Sequence, residues 1–172
     1  SSLRLNVFSG KEKTYQAWDG VPSTMLDTNR TYNGLGYYIA PDGSAKYYDN
    51  QTDNYLQTQY QLSLIQRLSA NWNLTAAAFL TRGKGYYEEY KMDQDFSAYG
   101  MENPIIGGDT LTTTDLVRQR WLDNYFYGAT FAVSHDHQGK LKMTIGGAYT
   151  LYNGKHYGKV IALSPDLARR YK

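Results

Sequence analysis

Apolar and polar residues alternate along most of this chain. Leu3, Leu5 and Val7 share one parity, with Arg4 and Asn6 on the other. Leu56, Tyr60, Leu62 and Leu64 alternate with Gln57, Gln59, Gln61 and Ser63. Leu74, Ala76, Ala78 and Leu80 repeat the pattern more weakly, because Ala77 and Phe79 interrupt the opposite parity. Tyr125, Tyr127, Ala129, Phe131 and Val133 are opposed by Asn124, Phe126, Gly128, Thr130 and Ser134. Leu141, Met143, Ile145, Tyr149 and Leu151 are opposed by Lys142, Thr144, Gly146, Ala148 and Thr150. Period two is the mark of strands with one apolar face. It predicts an all-β chain of five long antiparallel strands in a meander, roughly over 3–18, 54–70, 72–91, 117–136 and 140–156. No stretch carries a sustained 3.6-residue stripe, and Ser164-Pro165-Asp166 predicts at most a short helical turn near 164–169.

The connections alternate in length. Ala70-Asn71 and His137-Gln138-Gly139-Lys140 read as tight turns, whereas 19–53 and 92–116 are long loops. In an antiparallel meander, all the tight turns then fall at one end and all the long loops at the other. Long loops are uncommon in compact soluble domains, and this asymmetry is that of outer-membrane barrels. A strand of about 17 residues spans roughly 56 Å. Tilted by about 40°, it still covers roughly 43 Å along a barrel axis, more than the ~25 Å apolar band. The expected architecture is therefore part of a transmembrane β-barrel, a single segment over 1–172. Five strands fall short of the about eight that close a barrel. With no leader sequence in front and Ala168-Arg169-Arg170-Tyr171-Lys172 behind, the chain is expected to be a segment of something larger. A soluble sheet with one wet face would give the same alternation.

Composition narrows the function classes. Among 172 residues, 18 Lys and Arg against 16 Asp and Glu leave a formal charge of +2, which gives no basis for nucleic-acid binding. There is no cysteine, so disulfides and thiolate chemistry are excluded. The longest apolar run, Ala76 to Leu80, is five residues against the ~20 of a membrane helix. A mean hydropathy of −0.62 does not bear on barrels, whose alternating strands average out. Eighteen tyrosines stand beside five Phe and three Trp. A ring with a polar tip suits surfaces that are half apolar and half wet.

Catalytic chemistry has little support: there is no Gly-x-Ser-x-Gly elbow and no phosphate-cradling loop, and no enzyme is expected. Gly83-Lys84-Gly85 lies inside an alternating strand, where small residues mark a close approach. His135-Asp136-His137 places two imidazoles on one face of a strand end, a spacing open to a divalent metal. A polar rim beside the Gln138-Gly139 turn is the preferred reading, and no metal or other cofactor is expected. Asp49, Asp53, Asp93 and Asp95 lack the Gly and downstream Glu of a calcium loop. The candidate ligand-binding residues are the loop aromatics: Trp18, Tyr37, Tyr38, Tyr47 and Tyr48 around the first long loop, and Tyr86, Tyr87, Tyr90 and Tyr99 around the second. Rigid aromatic faces bind sugars, peptides or aromatic chelates at low entropic cost. The competing reading is that they stack on neighbouring strands and hold the loops upright. Tyr86 and Tyr87, as consecutive strand residues, cannot both face one ligand.

Four stretches, Gly10 to Trp18, Tyr48 to Tyr55, Thr81 to Lys91 and Tyr152 to Gly158, resemble the barrel portion of TonB-dependent outer-membrane receptors of the Bacteroidetes type. The resemblance implies a parent with a 22-stranded barrel and an N-terminal plug, importing a siderophore, cobalamin, glycan or peptide with energy from TonB. Its implied partners are outer-membrane lipid, an extracellular ligand, and TonB through the parent's plug domain, which is missing here. Isolated in water, such a segment is expected to self-associate. The alternatives are a soluble Tyr-rich β-sandwich that binds carbohydrate and a small, complete outer-membrane barrel.

Overall fold

The structure, a computed structural model, describes residues 1–40, 42–137 and 139–163. Five long strands carry it: β1 (Ser2–Tyr15), β4 (Thr52–Arg67), β5 (Trp72–Asp95), β8 (Thr113–His137) and β9 (Leu141–Leu163). They form one sheet in the order β1-β4-β5-β8-β9, an antiparallel meander with β1 and β9 at its edges. The alternating segments are thus strands, each within a few residues of its expected bounds except at the C-terminal end of β9. The possible helical turn at 164–169 lies outside the described residues.

The long loops hold short elements of their own. Between β1 and β4 come a 3₁₀ turn (Ser23–Met25) and a hairpin of β2 (Tyr37–Ile39) and β3 (Ala45–Tyr47), with Tyr37 opposite Tyr47. Between β5 and β8 come a 3₁₀ turn (Phe96–Tyr99) and the pair β6 (Ile105–Ile106) and β7 (Asp109–Thr110). The connections β4–β5 and β8–β9 are tight. In the second, Gly139 takes a left-handed φ of 75°, Lys140 N–H bonds the His137 carbonyl at 2.9 Å, and Asp136 Oδ1 accepts Gly139 N–H at 3.0 Å.

The chain divides into two compact units. Unit 1 comprises 1–12, 55–85 and 122–156 and contains both tight turns. Unit 2 comprises, among the described residues, 13–54, 86–121 and 157–163, and contains both long loops.

In unit 1, side-chain contacts across each strand pair fix which parities share a face. Ser9 and Thr58 hydroxyls bond at 2.9 Å, aligning the odd residues of β1 with the even residues of β4. The Tyr55 ring lies so close over Gly83 that a Cβ there would stand 1.9 Å from its hydroxyl, aligning odd with odd between β4 and β5. Arg82 pairs with Asp123 at 2.5 Å and sits 4.2 Å from the Tyr125 ring centroid, aligning even with odd between β5 and β8. Ser134 and Thr144 bond at 3.1 Å, aligning even with even between β8 and β9. Followed across the sheet, these contacts put every apolar parity on the same face. Leu3, Leu5 and Val7 stand with Leu56, Tyr60 and Leu62, with Leu74 and Leu80, with Tyr125, Phe131 and Val133, and with Met143, Ile145 and Leu151. The other face carries Gln57, Gln59, Gln61, Thr81, Gly83, Asn124, Gly128, Thr130, Thr144 and Gly146, and with them Phe8, Ile65 and the pair Phe79 and Phe126, whose rings lie 5.4 Å apart. The apolar face is bare: Leu3, Phe131 and Ile145 are 68%, 53% and 62% exposed. Among the described residues of unit 1, only Gly83 and Gly85 are buried.

Candidate functional site

Unit 2 has an interior, and much of it is polar. Gln16, Gln51, Thr52, Glu88, Glu89 and Thr114 are buried alongside Ala40, Phe96, Leu116 and Val117. Buried polar groups need partners, and these have them. Glu88 Oε1 accepts the Tyr48 hydroxyl at 2.5 Å and Asn50 Nδ2 at 2.6 Å, while its Oε2 accepts Gln119 Nε2 at 2.7 Å. Lys13 Nζ donates to Asn50 Oδ1 at 2.8 Å, so the node ties the end of β1 to β5, β8 and the approach to β4. Burial pushes the Glu88 carboxyl up, but the three hydrogen bonds and the Lys13 charge together hold it below the ordinary glutamate value. Tyr48 moves the other way: burial, then the Glu88 hydrogen bond and charge, raise its phenol. Gln51 Oε1 accepts the Tyr90 N–H at 3.1 Å, and Gln16 Nε2 donates to the Thr52 carbonyl at 3.1 Å.

All nine candidate aromatics lie in unit 2, but they do not converge on one ligand. Trp18 meets Tyr87 edge to face at 4.7 Å, and the Arg120 guanidinium lies 5.3 Å from the centre of that Tyr87 ring. Tyr37 meets Tyr47 edge to face at 5.6 Å. Tyr38 stacks on Tyr90 at 4.6 Å, and Tyr48 lies 6.0 Å from the same ring. Tyr86 packs against Trp121 at 4.6 Å, and Trp121 stacks at 3° on Tyr157, with Lys159 Nζ 5.0 Å from the indole. The Tyr99 hydroxyl accepts Arg118 Nη1 at 2.9 Å, and Arg118 Nε bonds Glu89 Oε1 at 2.6 Å. Tyr86 and Tyr87 do face opposite ways. Every one of the nine has a ring or a cation against it, so the strand-stacking role is populated throughout.

Sequence reasoning missed a cavity in this unit. An open bowl of about 240 Å³ is lined by Tyr15, Asn29, Thr31, Tyr32, Asn33 and Tyr47, of which only Tyr47 was a candidate. The signal available was the cluster Asn29-Arg30-Thr31-Tyr32-Asn33, a run of turn-forming polar residues around a ring. At the turn end of unit 1, the His135 and His137 rings lie parallel with centroids 6.2 Å apart, and Trp72 packs on His135 at 4.5 Å. Among the described residues, no group of three or more His, Asp or Glu is placed to hold a metal ion.

Compared with protein-family models, with curated proteins and with solved structures, the chain matches none. Among the described residues, no helix is long and apolar enough to cross a membrane, which does not concern strands.

Proposed function

We propose that this chain is a segment of the barrel of a TonB-dependent outer-membrane receptor that captures an extracellular nutrient, with lipid against the apolar face of unit 1. The observation that supports this most is the continuous apolar face running across all five strands, opposed by a more polar one in which Gln, Thr, Asn and Gly surround the Phe79–Phe126 pair. A soluble sandwich hides its apolar face under a second layer, whereas a barrel turns it to lipid and its polar face to the lumen. The dimensions agree. The apolar run Tyr125 to Val133 spans roughly 30 Å as a strand and roughly 23 Å along a barrel axis at about 40° tilt, close to the ~25 Å band. On the same face the run ends in charge, at Asp123 paired with Arg82 and Lys84. The long loops and satisfied polar interior of unit 2 suit contact with water. Function would be binding followed by movement of the parent's plug, with no covalent step.

Spin labels at Tyr125, Phe131, Val133, Ile145 and Leu151, in the chain folded into bilayers, test this. Relaxation by a lipid-soluble quencher, and protection from a water-soluble one, is expected at all five. Labels at Thr130 and Thr144 should show the reverse. Equal access of the water-soluble quencher to both sets would refute the reading.

A further inference from the structure

We propose that the bowl of unit 2 is a binding site for a neutral sugar ring. Its walls come from three places. Tyr15 is the last residue of β1, and Tyr47 is the last of β3, with its ring braced edge-on by Tyr37. Asn29 to Asn33 form the third wall, in a turn fixed by Asn29 N–H to the Met25 carbonyl at 2.7 Å and Tyr32 N–H to the Asn29 carbonyl at 3.1 Å. Asn33 pins this turn on both sides, donating from Nδ2 to the Gln16 carbonyl and accepting Leu35 N–H on Oδ1 at 3.0 Å. The walls are therefore preorganised, which lowers the entropic cost of binding.

The chemistry of the lining selects the ligand class. Three phenol rings offer flat apolar faces, suited to the C–H face of a pyranose. Asn29 Oδ1 is occupied by Thr31 N–H at 3.3 Å and the Thr31 hydroxyl at 3.1 Å, which leaves the Asn29 amide nitrogen as a donor. The hydroxyls of Tyr15, Tyr32 and Tyr47 have no protein partner among the described residues, so each can donate and accept. A sugar presents vicinal hydroxyls that need this mixture. Among the described residues, no Lys, Arg, Asp or Glu lines the bowl, so a carboxylate, phosphate or ammonium would lose hydration without an opposite charge in return. At about 240 Å³ the cavity is below the ~300 Å³ at which small-molecule pockets begin, so it takes one ring and leaves the rest of any glycan outside. The site deepens the proposed nutrient capture and rests on that reading for its biological meaning. The binding itself involves unit 2 alone and does not depend on lipid.

The test is saturation-transfer NMR on the full chain folded in lauryldimethylamine oxide, a detergent without a sugar headgroup. The probes are methyl glucoside, methyl galactoside and methyl mannoside, with methyl glucuronide as the charged comparison. Transfer to at least one neutral glycoside is expected, weakened about ten-fold or more in Tyr32→Ala and in Tyr47→Ala. Transfer should be unchanged in Tyr149→Ala, which lies in unit 1. Asn29→Ser, which keeps a turn-capping oxygen and loses the amide donor, should weaken binding even if a tyrosine variant fails to fold. No transfer to any neutral glycoside from folded protein would overturn the proposal. So would transfer unaffected by all three bowl variants, or stronger transfer to the glucuronide. The spin-label experiment is independent: lipid contact with no sugar binding would refute the bowl alone, and the converse would refute the barrel alone.

Discussion

Glu88 holds three donors in the interior of unit 2, and its removal gives the sharpest test of how that unit is built. The side chain is 4% exposed and receives Tyr48, Asn50 and Gln119 at 2.5, 2.6 and 2.7 Å. A hydrogen bond to a charged group contributes about 1.5–3 kcal/mol net, and leaving a buried donor unpaired costs about 1–3 kcal/mol. The three are not additive, since Lys13 still holds Asn50 and water enters a vacated site, so Glu88→Ala is expected to cost about 3–5 kcal/mol. Glu88→Gln keeps one acceptor oxygen but turns an amide N–H₂ toward another donor, and should cost about 1–3 kcal/mol. The assay is native-state hydrogen exchange at Gln51, Thr52 and Tyr90, amides that lie beside the node. Their opening free energies should fall by those amounts, while amides of Tyr127 to Phe131 in unit 1 stay put. Unchanged exchange at all three in Glu88→Ala would refute the assignment. The pH dependence has a fixed sign. Because the folded carboxyl titrates below its unfolded value, its contribution is full above the unfolded pKa of about 4.3 and is lost as pH falls through the lower folded value. The same amides should therefore lose protection on acidification below about pH 4, and the Glu88→Gln protein should lack that component.

Other substitutions separate packing from chain flexibility. A Cβ on Gly128 would stand 2.3 Å from the Tyr149 carbonyl oxygen and 3.0 Å from the Thr150 Cα, both backbone atoms of β9. Gly128→Ala should therefore cost about 1–3 kcal/mol, read as a lower urea midpoint in detergent, whereas Gly158→Ala, whose Cβ would come no nearer than 4.0 Å to Gln119 O, should change it little. Phe96 is 3% exposed beside the second long loop, and Phe96→Ala should cost about 3–5 kcal/mol locally, with proteolytic cleavage rising between 97 and 112. Arg118→Lys keeps the charge but cannot serve Glu89 and Tyr99 together as the guanidinium does, so exchange at Phe96 to Gly100 should quicken. In buffer without detergent, sedimentation should give a mass above that of one 19.6 kDa chain, since the bare apolar face must be covered; a stable monomer would count against that face as a lipid contact.

The long strands were legible because period two persists through them and the tight turns carry Gly or Asn. The parts that were not legible have particular reasons. The hairpins β2–β3 and β6–β7 have strands of two or three residues, too short to show any period. β9 runs to Leu163 rather than stopping near 156, because Lys155-His156-Tyr157-Gly158-Lys159 keeps the strand conformation without alternating in polarity. β5 continues to Asp95 through Asp93, which takes a left-handed φ of 54° with its N–H held by Asp115 Oδ1 at 2.9 Å; a partner 22 residues away leaves no local signal. The bowl failed to show for the same reason, since Tyr15, Asn29 and Tyr47 meet only through the path of the loop. The tyrosines were found as residues, but their partners were not. Trp121 and Arg118, which face Tyr86 and Tyr99, sit on β8 at positions that only register reveals.

The two units solve the problem of stability by different means, and the difference carries the membrane argument further than any resemblance does. Unit 2 buries Phe96, Leu116 and Val117 with a set of paired polar groups, so water can surround it. Unit 1 buries no side chain among its described residues, yet spends Leu, Ile, Val, Phe and Tyr on one face of every strand. Ladder hydrogen bonds alone give a sheet little net stability in water. The hydrophobic effect, the main favourable contribution to folding, is unrealised at that face until something apolar covers it. A second protein layer would require complementary knobs and holes, whereas lipid requires only that the face be apolar, of the right height and free of charge. The face meets those three conditions between Tyr125 and Val133, and charge returns at Asp123 and Arg82. If lipid is that cover, transfer from detergent to a bilayer of matched thickness should raise the unfolding midpoint of unit 1 amides. Unit 2 amides should shift much less, a difference that residue-resolved exchange in the two media would measure directly.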